Sequence, residues 1–117
     1  MANKHRGEVE VELGDQTYQT RLNLDGISRI ESDLNMSIVQ AAQRLSEGAM
    51  QIDQMTTILH RALKGGGNKV ELKDVKKIIW DAGLANAMKA VGEILAGVLG
   101  VSDEDGDEGN DLGAGSE

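Results

Sequence analysis

From Glu8 the chain alternates, with Val9, Val11 and Leu13 set against Glu8, Glu10 and Glu12. That is the period of a strand with one face on a core and the other in water. Gly14-Asp15 comes next, a pair suited to a two-residue primed turn. Alternation then resumes, with Tyr18, Thr20, Leu22 and Leu24 on one side and Thr17, Gln19 and Arg21 on the other. A turn of this length fixes the register: Leu13 faces Gln16, Val11 faces Tyr18, Val9 faces Thr20 and Glu8 faces Arg21. The expected unit is a hairpin over 7–24. A lone hairpin is marginal in water, so its apolar face must rest on the remainder of the chain.

Beyond Leu24 the apolar positions repeat every three to four residues. Asp25 is an apt N-cap for "GISRIESDL", with Ile27, Ile30 and Leu34 on one stripe and Asn35 to close it. Ser37 caps "IVQAAQRLSEG", where Ile38, Ala41, Ala42 and Leu45 turn inward and Gly48 terminates. Asp53 is expected to cap a third helix, with Met55, Ile58, Leu59, Ala62 and Leu63 at helical spacing and Gly65-Gly66-Gly67 as the stop. A fourth helix from Leu72 to Asp81 points Leu72, Val75, Ile78 and Ile79 inward and its lysines outward; Gly83 breaks or bends the path beyond it. The last helix, 84–99, gathers Asn86, Lys89 and Glu93 on one narrow stripe. Most of its circumference is Ala, Gly, Leu, Val or Met. Such a helix is central to the bundle or covered by another molecule. Under the second reading the row Met88, Val91, Leu95 and Val98 would bind a partner, with Glu8, Glu10 and Glu12 as a further docking face.

The fold class predicted is therefore α+β: an N-terminal hairpin on a bundle of four to five helices. It is expected as one domain over 1–100, with helices across 26–99, followed by a disordered acidic tail over 101–117. A chain of 117 residues fits one domain. Its core has no Phe and only one Trp and one Tyr in the whole sequence, so Ile, Leu, Val, Met and Ala must fill it. Those residues bury less area each than aromatics, so stability is expected to be modest or borrowed from a partner.

Charge separates the two regions. The net charge is −8, yet from Val101 onward there are seven acidic residues and no Lys or Arg. Without those seven, 13 acidic residues face 12 basic ones, a net charge of −1. Nucleic-acid binding is disfavoured, because neutralising phosphates takes a basic patch. Lys73, Lys76 and Lys77 are offset by Glu71, Asp74 and Asp81. Cysteine is absent, which removes disulfides, thiolate ligands and a cysteine nucleophile and fits a reducing cytoplasm. "MANKHRGEV" lacks an apolar signal core, and Lys89 and Glu93 interrupt the longest apolar stretch, so neither secretion nor a membrane span is expected.

Motifs for chemistry fail on inspection. A calcium loop beginning at Asp103 has Asp at positions one, three and five. However, Glu108 stands where glycine is needed and Ala114 where the bidentate Glu belongs. "LKGGGNK" has glycines but neither Walker spacing nor a strand ahead of it, and reads as a helix stop with a flexible joint. His5 lies in a basic arm and His60 on the polar flank of the third helix, with no carboxylate pair, triad or metal-ligand spacing around them. An enzyme is not expected, nor a cofactor or metal.

The run "ANKHRGEVEVELGDQTYQTRLNLDGISRIESDL" resembles the opening of small proteins encoded in gene transfer agent and related phage tail modules. Those proteins begin with a near-identical Ala-Asn-Arg/Lys-His-Arg-Gly-Glu-Val strand, followed by a Tyr-containing second strand. The resemblance continues through "IVQAAQRLSEG" and "MTTILHRALKGGG" and covers about residues 2–100. It implies a tail assembly chaperone: a cytoplasmic, non-catalytic protein of the bacterial host cell that engages tape measure and tail tube proteins, with a homo-oligomer possible. The basic "KDVKKIIW" segment and the acidic tail depart from the pattern. Met36, Met50, Met55 and Met88, with the Ala- and Gly-rich last helix, would supply soft surface for such partners. Along an edge strand the glutamates would discourage pairing between copies, or else meet a basic strand; the first role is favoured. Two other functions compete: a structural tail or connector subunit, and an acidic mimic of nucleic acid acting through the tail.

Overall fold

The computed structural model describes residues 6–100. The acidic tail expected at 101–117 and the start of the basic arm lie outside the described residues. Seven elements run in order: β1 Glu8–Leu13, β2 Gln16–Arg21, α1 Leu24–Leu34, α2 Ile38–Ser46, α3 Ile52–Gly65, α4 Leu72–Ala82 and α5 Leu84–Leu99. The architecture is α+β, a two-stranded antiparallel hairpin with five helices.

The hairpin has the register its alternation dictates, Glu8 facing Arg21 through to Leu13 facing Gln16. Gly14 takes φ +69° and Asp15 stays out of the left-handed region, the pattern of a type II′ turn. Val11, Leu13, Thr20 and Leu22 are buried on the inner face, and the Thr20 hydroxyl donates to the Val9 carbonyl at 2.6 Å. Leu24 departs from expectation and is 82% exposed, because α1 already begins there and turns it outward.

Helix starts differ from sequence expectation in two places. Asn23, not Asp25, caps α1, its Oδ1 accepting from the Gly26 N–H at 2.8 Å. Asp25 instead sits in the first turn and pairs with Arg29 at 3.0 Å. Similarly, α3 starts from Gln51, whose N–H donates to Gln54 Oε1, and Asp53 falls in its first turn. Ser37 does cap α2, in a reciprocal box with Gln40. Asn35 closes α1 in the left-handed conformation, φ 56°.

The core is shared by α3 and α5. Ile58, Leu59, Ala62 and Leu63 of α3 are sealed, as are Ala87, Ala90, Val91, Ile94 and Leu95 of α5. α5 touches β1, α2, α3 and α4, the central position of the two foreseen for it. Gly97 permits its approach to β1: a Cβ there would stand 2.6 Å from Val9 Cγ2. Gly83, at φ +97°, ends α4 and starts α5, and the two helices meet at a bend of 117°. No single helix among the described residues is long and apolar enough to cross a membrane.

Candidate functional site: two protein-binding surfaces

Of the row Met88, Val91, Leu95 and Val98, only Met88 reaches solvent. Val91, Leu95 and Val98 are covered by the bundle itself, so the partner-binding role expected for those three finds no exposed surface. Leu72, expected inward, is instead about half exposed at the first residue of α4.

Large apolar side chains are exposed elsewhere: Leu24, Val39 and Ile52 at the starts of α1, α2 and α3, and a further group on either side of the α4–α5 bend. Trp80 is 79% exposed, Leu84 43% and Met88 38%. Trp80 lies in the last turn of α4, and Leu84 and Met88 lie one turn apart on the same side of α5. All three fall within nine residues across the 117° bend. A tryptophan this exposed is uncommon, and the expected partner-binding row omitted it, although Trp80 stands four residues after Lys76 and three after Lys77, on the lysine side of α4. Beside it Lys77 pairs with Asp81 at 2.9 Å. That hydrogen bond first, and the attraction of the carboxylate second, raise the lysine above its ordinary pKa.

The second surface is the outer side of the hairpin. Glu10 accepts from Gln19 Nε2 at 2.9 Å and Glu8 pairs with Arg21 at 3.7 Å, so two glutamates are held to β2 across the ladder. Glu10 and Glu12 are exposed. Between β1 and the polar stripe of α5 lies an open hollow of about 370 Å³, lined by Glu10, Glu12, Gly14, Asn86, Lys89 and Glu93. A second hollow, of about 440 Å³ beside α1 and α3, brings together Asp25, Arg29, His60, Arg61 and Lys64. Its groups serve structure: Arg61 reaches Asp33 on α1 at 3.2 Å, and Arg29 holds Asp25. His60 is half-buried, not a free surface histidine, and its Nε2–H donates to the Val70 carbonyl at 3.1 Å, tying the α3–α4 connection back to α3. Among the described residues no group of three or more His, Asp or Glu could hold a metal ion.

Fold and surface together define a small α+β protein with a closed aliphatic core, an exposed apolar corner and an acidic strand edge. The chain belongs to the family described as phage tail tube protein, GTA-gp10, whose model matches residues 6–100. No curated protein and no solved structure matches it. The match makes it a protein of a phage or gene transfer agent tail module, and its span falls within the residues 2–100 over which the resemblance runs.

Proposed function

We propose that this chain is a tail assembly chaperone that binds other tail proteins, the tape measure and tube proteins among them, through the corner formed by Trp80, Leu84 and Met88. The observation that carries the reading is the exposure of those three side chains within nine residues across one bend, whereas the other exposed large apolar side chains, Leu24, Val39, Ile52 and Leu72, each stand in the first turn of a different helix. Aromatic and methionine side chains at such a site supply large, adaptable contact area, and one exposed tryptophan can dominate an interface. The reaction is association alone; the chain's work is to cover apolar segments of its partners until they assemble.

A second reading comes from the family's own description, tail tube protein: a resident structural subunit. A tube of identical copies needs a heterologous interface that each copy offers to the next. Neither sheet edge serves that purpose well, since β1 presents glutamates and β2 lies against α3.

The experiment is a pull-down from cells co-expressing the neighbouring tail proteins, with wild type and the Trp80→Ala/Met88→Ala variant, followed by a search for the chain in purified particles. Capture by wild type, loss in the variant at unchanged thermal midpoint, and absence from particles is the result expected. Stoichiometric presence in finished particles would instead establish the resident subunit.

A further inference from the structure

In a hairpin with a two-residue turn, the residues flanking the turn exchange both backbone bonds, and every second pair repeats this. Here those pairs are Leu13 with Gln16, Val11 with Tyr18 and Val9 with Thr20, and the series continues with the Leu22 N–H donating to the Gly7 carbonyl at 3.0 Å. The backbone groups of Glu10 and Glu12 on one strand, and of Thr17, Gln19 and Arg21 on the other, consequently point away from the ladder.

The two outer edges are treated differently. On β2, Asn68 Nδ2 donates to the Gln19 carbonyl at 2.8 Å. Gly65 and Gly66 press their backbone against the carbonyls of Arg21 and Gln19, so closely that a Cβ on either would collide with them. That edge is covered. On β1, no hydrogen bond within the described residues closes the outward N–H and C=O of Glu10 or Glu12. Beside this open edge lies the hollow of about 370 Å³, walled on its far side by Asn86, Lys89 and Glu93 of α5. A strand edge next to a groove walled by a helix has the geometry for strand addition.

We propose that the β1 edge at Glu10–Glu12 accepts an extended, basic segment of another polypeptide as a third strand. Charge selects the occupant. Three carboxylates, Glu10, Glu12 and Glu93, face the hollow against one ammonium, Lys89. A second copy is a poor fit: β1 against β1 sets glutamate beside glutamate, and β1 against β2 meets an edge already covered. The chain's own residues 101–117 carry seven acidic groups and no basic one. A segment with Lys or Arg at every second position places those side chains opposite Glu10 and Glu12. Its alternate side chains then fall toward the α5 stripe, where Thr, Ser or Asn suit Asn86 and Lys89. The glutamates thus exclude copies of the same chain and admit a basic strand by one and the same charge. This inference does not depend on the Trp80 corner.

The test uses the full chain and a synthetic probe of about seven residues alternating Lys with Thr, a usual strand length. The control peptide has the same sequence and charge, with backbone N-methyl groups on its central Lys and Thr residues, which removes the donors facing β1 in either strand direction. Amide hydrogen exchange at Glu10 and Glu12 is read by NMR with each peptide. The alternating peptide should slow exchange at both amides by about tenfold or more, a strand-like protection that the N-methylated peptide does not give. Glu10→Lys/Glu12→Lys should weaken its binding by about tenfold or more. Equal binding of the two peptides, without amide protection, would reduce the effect to diffuse charge attraction and overturn the proposal. Concentration-dependent protection of the same amides in the peptide-free protein would also overturn it, by making a second copy the occupant.

Discussion

At the scale of single residues, glycine has opposite meanings in two helices of this chain. Alanine for glycine in a helix normally stabilises by about 0.5–1 kcal/mol. At Gly92 nothing opposes this, because a Cβ there would meet Leu45 Cδ2 at 3.5 Å, an ordinary contact. At Gly65 the backbone lies on the Arg21 carbonyl, and an added methyl must push the hairpin off α3. Urea unfolding should therefore show Gly92→Ala more stable than wild type by about 0.5–1 kcal/mol, and Gly65→Ala less stable by about 1–3 kcal/mol. Two stabilising results would mean that the glycine run does not cap β2. Lys77 offers a different check. Its pKa is raised by the hydrogen bond to Asp81, so the pair's contribution is complete below the ordinary lysine pKa and disappears as pH climbs through the raised value. NMR titration of Asp81→Asn should return Lys77 to the ordinary range. Neither the glycine contact nor the His60–Val70 bond could be read from the chain, since each joins residues whose spacing obeys no local period.

Among the elements, periodicity located all seven but could not orient the most apolar one. The turn of β1 into β2 was legible because alternation and a two-residue turn fix register together. α5 is apolar around most of its circumference, so a stripe such as Met88, Val91, Leu95 and Val98 marks no particular side. Which side is closed depends on where β1, α2, α3 and α4 come to lie. Caps failed in a related way. Asn23 and Asp25 are equally good cap residues two positions apart, and the choice falls to the one whose oxygen meets the Gly26 N–H. These assignments separate two variants of α5. Leu95→Ala removes a sealed side chain and should cost about 2–5 kcal/mol. Met88→Ala trims an exposed one and should cost about 0.5 kcal/mol or less. Chemical denaturation of both variants, scored beside tail-protein capture, distinguishes a core residue from a contact residue: Leu95→Ala lowers the midpoint, while Met88→Ala keeps it and weakens capture.

The whole molecule joins a nearly neutral body to a strongly acidic end, and this division was plain in the sequence because charge needs no fold to be counted. With 13 acidic and 12 basic residues outside 101–117, the body has little net charge near pH 7, where proteins associate most readily. The 117-residue chain, at −8 and with a pI near 4.7, is held apart by repulsion at the same pH. Its exposed Trp80, Leu84 and Met88 make that repulsion consequential, since neutral copies with an apolar corner have both the means and the freedom to stick. A chain ending at Gly100 should therefore keep the thermal midpoint of the full chain while its solubility minimum moves from near pH 4.7 toward neutrality. Turbidity against pH, read for both chains with and without Trp80→Ala, gives the result. If apolar contact drives the association, Trp80→Ala restores solubility to the shortened chain near pH 7. Capture of tail proteins by the shortened chain should survive, whereas an acidic mimic of nucleic acid would lose its activity with the seven carboxylates. A shortened chain whose solubility minimum stayed near pH 4.7 would show that the acidic end does not set the charge balance of the assembled protein.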